Sequence, residues 1–155
     1  ADLISIENER HVASSHGIKV VADLMLDDAD LTSYTVVFLP GGMPGTLRLK
    51  ENAQVRAEVL RRAEASLKLA AICAAPSILA ELGVLEGRRA TANPGFMDAL
   101  SSGGAQAQSE CVVVDGNIVT SRGAGTALEL GLELVRQLLG EEVAQQVRES
   151  IVWQH

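Results

Sequence analysis

The sequence predicts an α/β fold, a three-layer αβα sandwich with a mainly parallel sheet and added β-hairpins. Two apolar runs of strand length, residues 34–39 and 69–72, show no polar alternation, which suits strands covered on both faces in a parallel sheet. Each run precedes a segment with helical signals, the alternation that builds such layers. Asp115-Gly116, set between residues 111–114 and 117–120, is the dipeptide that closes a two-residue hairpin. With 155 residues and neither internal repeat nor low-complexity linker, one domain spanning residues 1–155 is expected.

Residues 3–6 read as a short strand. His11-Val12-Ala13 and Ile18-Lys19-Val20-Val21 flank the turn residues Ser14-Ser15-His16-Gly17, a hairpin. Residues 24–34 are acidic and irregular, with room for one helical turn. The run 34–39 ends at Pro40-Gly41-Gly42. After the loop Met43-Pro44-Gly45, Asn52 caps a helix reaching about Ala65. Val55, Val59 and Leu60 form its buried stripe, and Arg56, Glu58, Arg61 and Arg62 face water.

The strand 69–72 turns at Cys73 into a helix that runs to about Leu82 and is closed by Gly83. Arg89-Ala90-Thr91-Ala92 is a short strand ending at Asn93-Pro94-Gly95. A brief helix over 96–100 and a loop over 101–104 follow. Beyond the second hairpin, Ser121-Arg122-Gly123-Ala124-Gly125-Thr126 leads into a helix ending at Leu139. Leu128, Leu132, Val135 and Leu139 line its core face, and Gly140 stops it. A last helix runs from Glu141 to about Glu149.

Composition excludes several functions. A net charge of −7 and 3% aromatic residues leave neither a basic stripe nor stacking platforms, so nucleic acid is not the main partner. No apolar run approaches the ~18–20 residues of a membrane span. Ala1-Asp2-Leu3 lacks the basic start of a signal peptide. The two cysteines, far apart in the chain, argue against a disulfide framework and for a reducing, cytoplasmic compartment. HxxxH, CxxC, GxGxxG and GxxxxGK[ST] are absent, so neither a metal nor another cofactor is expected.

The stretch with chemical content is Leu69-Ala70-Ala71-Ile72-Cys73-Ala74-Ala75-Pro76. Proline at the first turn of a helix costs no hydrogen bond, and the two alanines allow a sharp corner. A thiol at such a strand-to-helix corner projects beside free N–H groups, which favour thiolate and can hold an oxyanion. This is a nucleophile elbow with cysteine in place of serine; the bland alternative for Cys73 is a buried core cysteine.

Ligands of open α/β sheets bind outside the carboxyl ends of strands. Gly41 and Gly42 leave such an end with unshielded N–H groups, one of which can join the Ala74 N–H on an oxyanion; otherwise they serve only a tight turn. Asn93 ends another strand and is a candidate substrate contact. Ser121 and Arg122 either bind an anionic group or simply precede a helix. Cys111 lacks an elbow and reads as structural or exposed. Trp153 reads as a packing anchor.

Val37-Phe38-Leu39-Pro40-Gly41-Gly42, Ala70-Ala71-Ile72-Cys73-Ala74-Ala75-Pro76 and Thr120-Ser121-Arg122-Gly123-Ala124-Gly125-Thr126 together resemble the signature segments of the ThiJ/PfpI superfamily, in its DJ-1-like branch, from Leu3 to about Val152. The resemblance implies a flavodoxin-like sandwich, a homodimer, a reactive cysteine at Cys73, and an oxyanion pocket made by the N–H groups of Gly42 and Ala74. Activities attributed to the branch are cofactor-independent glyoxalase and deglycase action on 2-oxoaldehydes or their adducts, chaperone holding, and peroxide sensing. The leading expectation is therefore a thiol-dependent enzyme acting on a small carbonyl substrate. The alternatives are a redox-sensing, chaperone-like protein and an intracellular peptidase-like hydrolase.

This sequence departs from the pattern in two ways. Some members carry a histidine where Asn93 stands, and an amide cannot relay protons near neutrality. The pattern also has a strand and helix ahead of residue 3, and that helix supplies a glutamate to the cysteine. The expectation is that a separate N-terminal segment supplies the first strand, the helix and the glutamate. His16 falls where the family often has a basic residue reaching across the dimer to the partner's cysteine; the other reading is a solvated hairpin tip. His11 reads as hairpin surface, and His155 is terminal.

Overall fold

The computed structural model describes residues 1–154; His155 lies outside the described residues. The chain opens with β1 (Ile4–Ser5), the predicted hairpin β2 (His11–Ala13) and β3 (Lys19–Val21), and β4 (Leu24–Met25). The acidic stretch then forms two 3-10 turns, Leu26–Asp28 and Leu31–Ser33, the second capped by Asp30, whose side chain accepts the Thr32 N–H. Next come β5 (Val36–Leu39), α1 (Gly45–Glu51), α2 (Ala53–Glu64), β6 (Lys68–Ile72) and α3 (Pro76–Glu81). β7 (Arg89–Ala90), α4 (Met97–Ser102) and β8 (Gln106–Ala107) follow. The chain ends with β9 (Val112–Asp115), β10 (Ile118–Ser121), α5 (Ala127–Leu139) and α6 (Glu141–Ser150).

Four strands form the main sheet in the order β5-β6-β10-β9. β6 pairs in parallel with β5 and β10, and the Asp115-Gly116 turn folds β9 back antiparallel on β10. β1 pairs in parallel with β4, and β7 with β8, as separate two-stranded units. β5 is therefore an edge: among the described residues it bonds on one side only, and Phe38 on it is 45% exposed.

Successive side chains of a strand point to opposite faces, and β6 shows the consequence. Leu69 and Ala71 join the core formed with Val55 and Val59 of α2, Ile78 and Leu79 of α3, and Leu100 of α4. Ala70 and Ile72 pack on the other face with Val119 and with Leu130 of α5. Helices thus cover both faces, the predicted three layers. Each fully buried leucine or isoleucine in these layers contributes about 1.5–3 kcal/mol relative to exposure.

Two predicted stripes are corrected. On α2, Asn52 caps the helix as predicted, accepting the Val55 N–H at 3.0 Å, but Leu60 is 40% exposed while Glu58 and Arg62 are buried. Val55, Val59 and Arg62 occupy one face at positions i, i+4 and i+7. Arg62 is tolerated there because its guanidinium donates to Glu58 Oε1 and to the carbonyls of Leu31, Tyr34, Thr35 and Lys68.

On α5, Leu130 and Leu134 contact the sheet, whereas Leu128 and Leu139 are exposed. Leucines occur on two faces of this helix, and packing against Ala70, Ile72 and Val119 of the sheet takes the face of Leu130 and Leu134. Leu132 on that second face borders a cavity of about 240 Å³ between α5 and α6, also lined by Ala144 and Trp153. Among the described residues, no helix is long and apolar enough to cross a membrane.

Candidate functional site

The strand ends converge on one carboxyl edge of the sheet. β6 stops at Ile72, and Cys73 takes a positive φ of 65°, a left-handed conformation uncommon for a residue with a β-carbon. It persists because both sides of the residue are tied. The Cys73 N–H donates to Ser121 O at 2.9 Å, and its carbonyl accepts the Asn93 N–H at 2.9 Å. Pro76 then opens α3, and Ala74, Ala75 and Pro76 are all buried. The predicted elbow is present, with the thiol half-buried at its tip.

The glycine loop meets this elbow from β5. Leu39 is registered with Ala71, so the residues after both strands emerge side by side. A β-carbon on Gly41 would lie 2.5 Å from Cys73 Cβ, 2.7 Å from Ile72 O and 3.2 Å from Ala74 N; only hydrogen fits there. Gly42 follows at φ 94°, and its carbonyl accepts both the N–H and the hydroxyl of the buried Thr46 at 2.9 Å. Among the described residues, the N–H groups of Gly42 and Ala74 donate to no protein acceptor. Both are free to bond a ligand at this corner. Thr46 was not singled out from the sequence; a threonine in the first turn after Pro-Gly is the signal that marks such a lock.

The remaining candidates have different surroundings. Asn93 spends its side-chain oxygen on the Gly95 N–H at 3.1 Å, and its Nδ2 lies 3.8 Å from where a Gly123 β-carbon would stand, so its amide N–H groups face the β10 loop. Ser121 is fully buried, and its hydroxyl bonds Cys111 O and Thr126. Arg122 donates through Nη1 to Ser109 O at 3.0 Å. His16 stands exposed at the tip of the β2–β3 hairpin, with Nδ1 3.1 Å from Ser15 Oγ. Gly41, Ala74, Asn93 and Ser121 are thus gathered round Cys73, and His16 is not. Among the described residues, no side chain hydrogen-bonds Cys73 Sγ, and no group of three or more His, Cys, Asp or Glu residues is placed to hold a metal.

Residues 1–137 match the model of the DJ-1/PfpI family. The chain belongs to that family. It is 41% identical to Protein DJ-1 homolog A of Arabidopsis thaliana over 92% of its own length, and it spans only 37% of that protein. It is 36% identical to Deglycase PYRAB04690 of Pyrococcus abyssi, over 82% of this chain and 76% of that one. Identity to the glutathione-independent glyoxalase DJR-1.2 of Caenorhabditis elegans is 30%, over 84% and 69%. Among solved structures, oxidised Toxoplasma gondii DJ-1 superposes with a TM-score of 0.91 at 31% identity, over 98% of this chain and 82% of that chain. The architecture is flavodoxin-like, as the resemblance implied.

Proposed function

We propose that this chain carries the nucleophilic centre of a glyoxalase- or deglycase-type enzyme acting on 2-oxoaldehydes or their adducts. One observation carries the reading: the half-buried Cys73 stands at a strand-to-helix corner met by the glycine loop, and the N–H groups of Gly42 and Ala74, its neighbours in that loop and corner, have no protein acceptor among the described residues. The names of the Pyrococcus and Caenorhabditis relatives support it. As its thiolate, Cys73 adds to the aldehyde carbon of the substrate; the carbonyl π electrons become an oxyanion held by the two N–H groups. Proton transfer between the two carbons and hydrolytic release of sulfur give a hydroxy acid. Asn93 and Arg122 orient the carbonyl and any anionic group, and no cofactor is called on. The site suits a cytoplasmic protein, whose compartment keeps the thiol reduced.

Turnover of methylglyoxal to lactate tests this. Cys73→Ser is expected to lower the rate by about 10³-fold or more, since loss of a nucleophile removes the covalent route. Equal rates in the two proteins overturn the reading.

The bare surroundings of the sulfur favour one second reading, a redox sensor with chaperone-like action in which oxidised Cys73 is held by the same N–H groups. In the catalytic reading the general base is brought by a further segment, since among the described residues no side chain hydrogen-bonds Cys73 Sγ. The open edge of β5 supports an added strand there, brought by an N-terminal segment whose following helix supplies a glutamate. The apolar hairpin residues Ile18, Val20 and Val21, all exposed, support a homodimer with His16 at the contact. A crystal structure of the purified protein reads both points: an extra strand on β5 and a two-fold hairpin contact are expected, whereas β1 paired directly to β5 and a monomer in solution overturn them.

A further inference from the structure

The two cysteines, distant in sequence, bracket one strand end. Ser121 is registered with Ile72 of β6 on one side and Val112 of β9 on the other. The next row along the sheet is therefore Cys73, Arg122 and Cys111. Hydrogen bonds fix it: the Cys73 N–H donates to Ser121 O at 2.9 Å, the Ser121 hydroxyl to Cys111 O at 2.8 Å, and the Arg122 N–H to Cys111 O at 3.2 Å. Neighbouring strands lie about 4.8 Å apart, so the two α-carbons stand about 10 Å apart. A disulfide requires about 4.4–6.8 Å.

One side is free to close that difference. Cys73 is tied at both its N–H and its carbonyl and leads into buried Ala74 and Ala75. Ser109, Glu110 and Cys111 are exposed irregular chain, held to β10 through Ser121 and Arg122, whose Nη1 grips Ser109 O at 3.0 Å. Short exposed segments with few buried contacts open locally at low cost.

We propose that Cys111 is the resolving thiol for oxidised Cys73 and that Arg122 is the positioning residue that latches it. The inference rests on the reading of Cys73 as the reactive thiol. With a hydroperoxide as oxidant, the Cys73 thiolate attacks the terminal peroxide oxygen; the O–O bond breaks, the leaving alkoxide takes a proton, and Cys73 becomes a sulfenic acid. Residues 109–111 then swing across the end of β10. The Cys111 sulfur attacks the Cys73 sulfur, an S–S bond forms as the S–O bond breaks, and the departing hydroxide takes the Cys111 proton as water. The disulfide closes before further oxidation to sulfinate.

Intact mass spectrometry after one equivalent of hydrogen peroxide tests it. The expected product has lost two hydrogen masses and gives a peptide joining Cys73 to Cys111. Cys111→Ser is expected to yield dimedone-trappable sulfenate and then sulfinate instead. Arg122→Ala, which releases Ser109 O, is expected to speed closure about fivefold, the equivalent of one ordinary hydrogen bond. Identical oxygen-bearing products in wild type and Cys111→Ser, with Cys111 still alkylated by iodoacetamide, overturn this inference alone, as does a disulfide between two copies. A Cys73 that resists peroxide altogether overturns the reactive-thiol reading with it.

Discussion

Gly41→Ala is expected to disable the thiol corner while Gly45→Ala leaves the protein unchanged. The new methyl carbon at position 41 would meet Cys73 Cβ at 2.5 Å and Ile72 O at 2.7 Å. Neither neighbour is the flexible end of a side chain, so relief requires separating the glycine loop from the elbow. Overpacking of a tight contact costs about 1–3 kcal/mol. The separation also shifts Gly42, and if its N–H is the oxyanion donor proposed above, losing it costs about 10²–10³-fold in rate. At Gly45 an added β-carbon meets nothing within 4 Å, and alanine favours the helix that starts there. Urea unfolding and the rate of Cys73 alkylation, measured on both variants, check the pair. A Gly41→Ala protein with wild-type stability and thiol reactivity contradicts the close approach of the two loops.

Arg62→Ala is expected to cost about 3–5 kcal/mol, the range for removing one partner of a buried ion pair and a large part of the ~5–15 kcal/mol that holds a domain. Arg62 has no exposed surface, and its guanidinium satisfies four carbonyl groups from the segments before β5 and around β6 besides Glu58. Alanine leaves Glu58 and those partly buried carbonyls without their donor. Lysine keeps the charge but cannot span the carbonyls with a planar fork, so Arg62→Lys is expected to recover only part of the loss.

The same cluster sets an acid limit. Burial opposes ionisation of Glu58, but hydrogen bonds from Arg61 and Arg62 outweigh it and hold the carboxyl below its ordinary range. A carboxylate whose folded pKa is depressed adds stability that is present above its unfolded pKa, about 4.3. That stability is lost as pH falls through the folded value. Urea midpoints measured from pH 7 down to pH 3 are expected to fall more steeply for wild type than for Arg62→Ala. Parallel curves contradict a coupled Glu58–Arg62 pair.

Local chemistry accounts for what could be read from the residues. The Asn52 cap, the Asp115-Gly116 turn and the strand-Cys-Ala-Ala-Pro corner each specify backbone geometry within a few positions, and each stands where its residues place it. The site's proximity was also legible, because loops leaving parallel strands at one edge must meet. What escaped depends on partners distant in sequence. β4 and β8 are two-residue parallel strands with no turn residue to announce them; they exist because β1 and β7 lie alongside. Arg62 looks like helix surface until carbonyls from residues 31–35 converge on it. α5 offers leucines on two faces, and only the sheet selects Leu130 and Leu134. Helix α1 is hidden by its Pro-Gly start, which reads as loop although proline and threonine suit a helix entrance.

Cys73 is stapled between two strands' ends, through Ser121 on one side and Asn93 on the other. The backbone that carries its sulfur cannot shift unless these bonds, and with them the β6–β10 register, part. Loss of that pairing, by heat or by distant damage, therefore takes the thiol's corner with it. A change in labelling kinetics at Cys73 on heating consequently reports on the strand pairing as well as on the thiol.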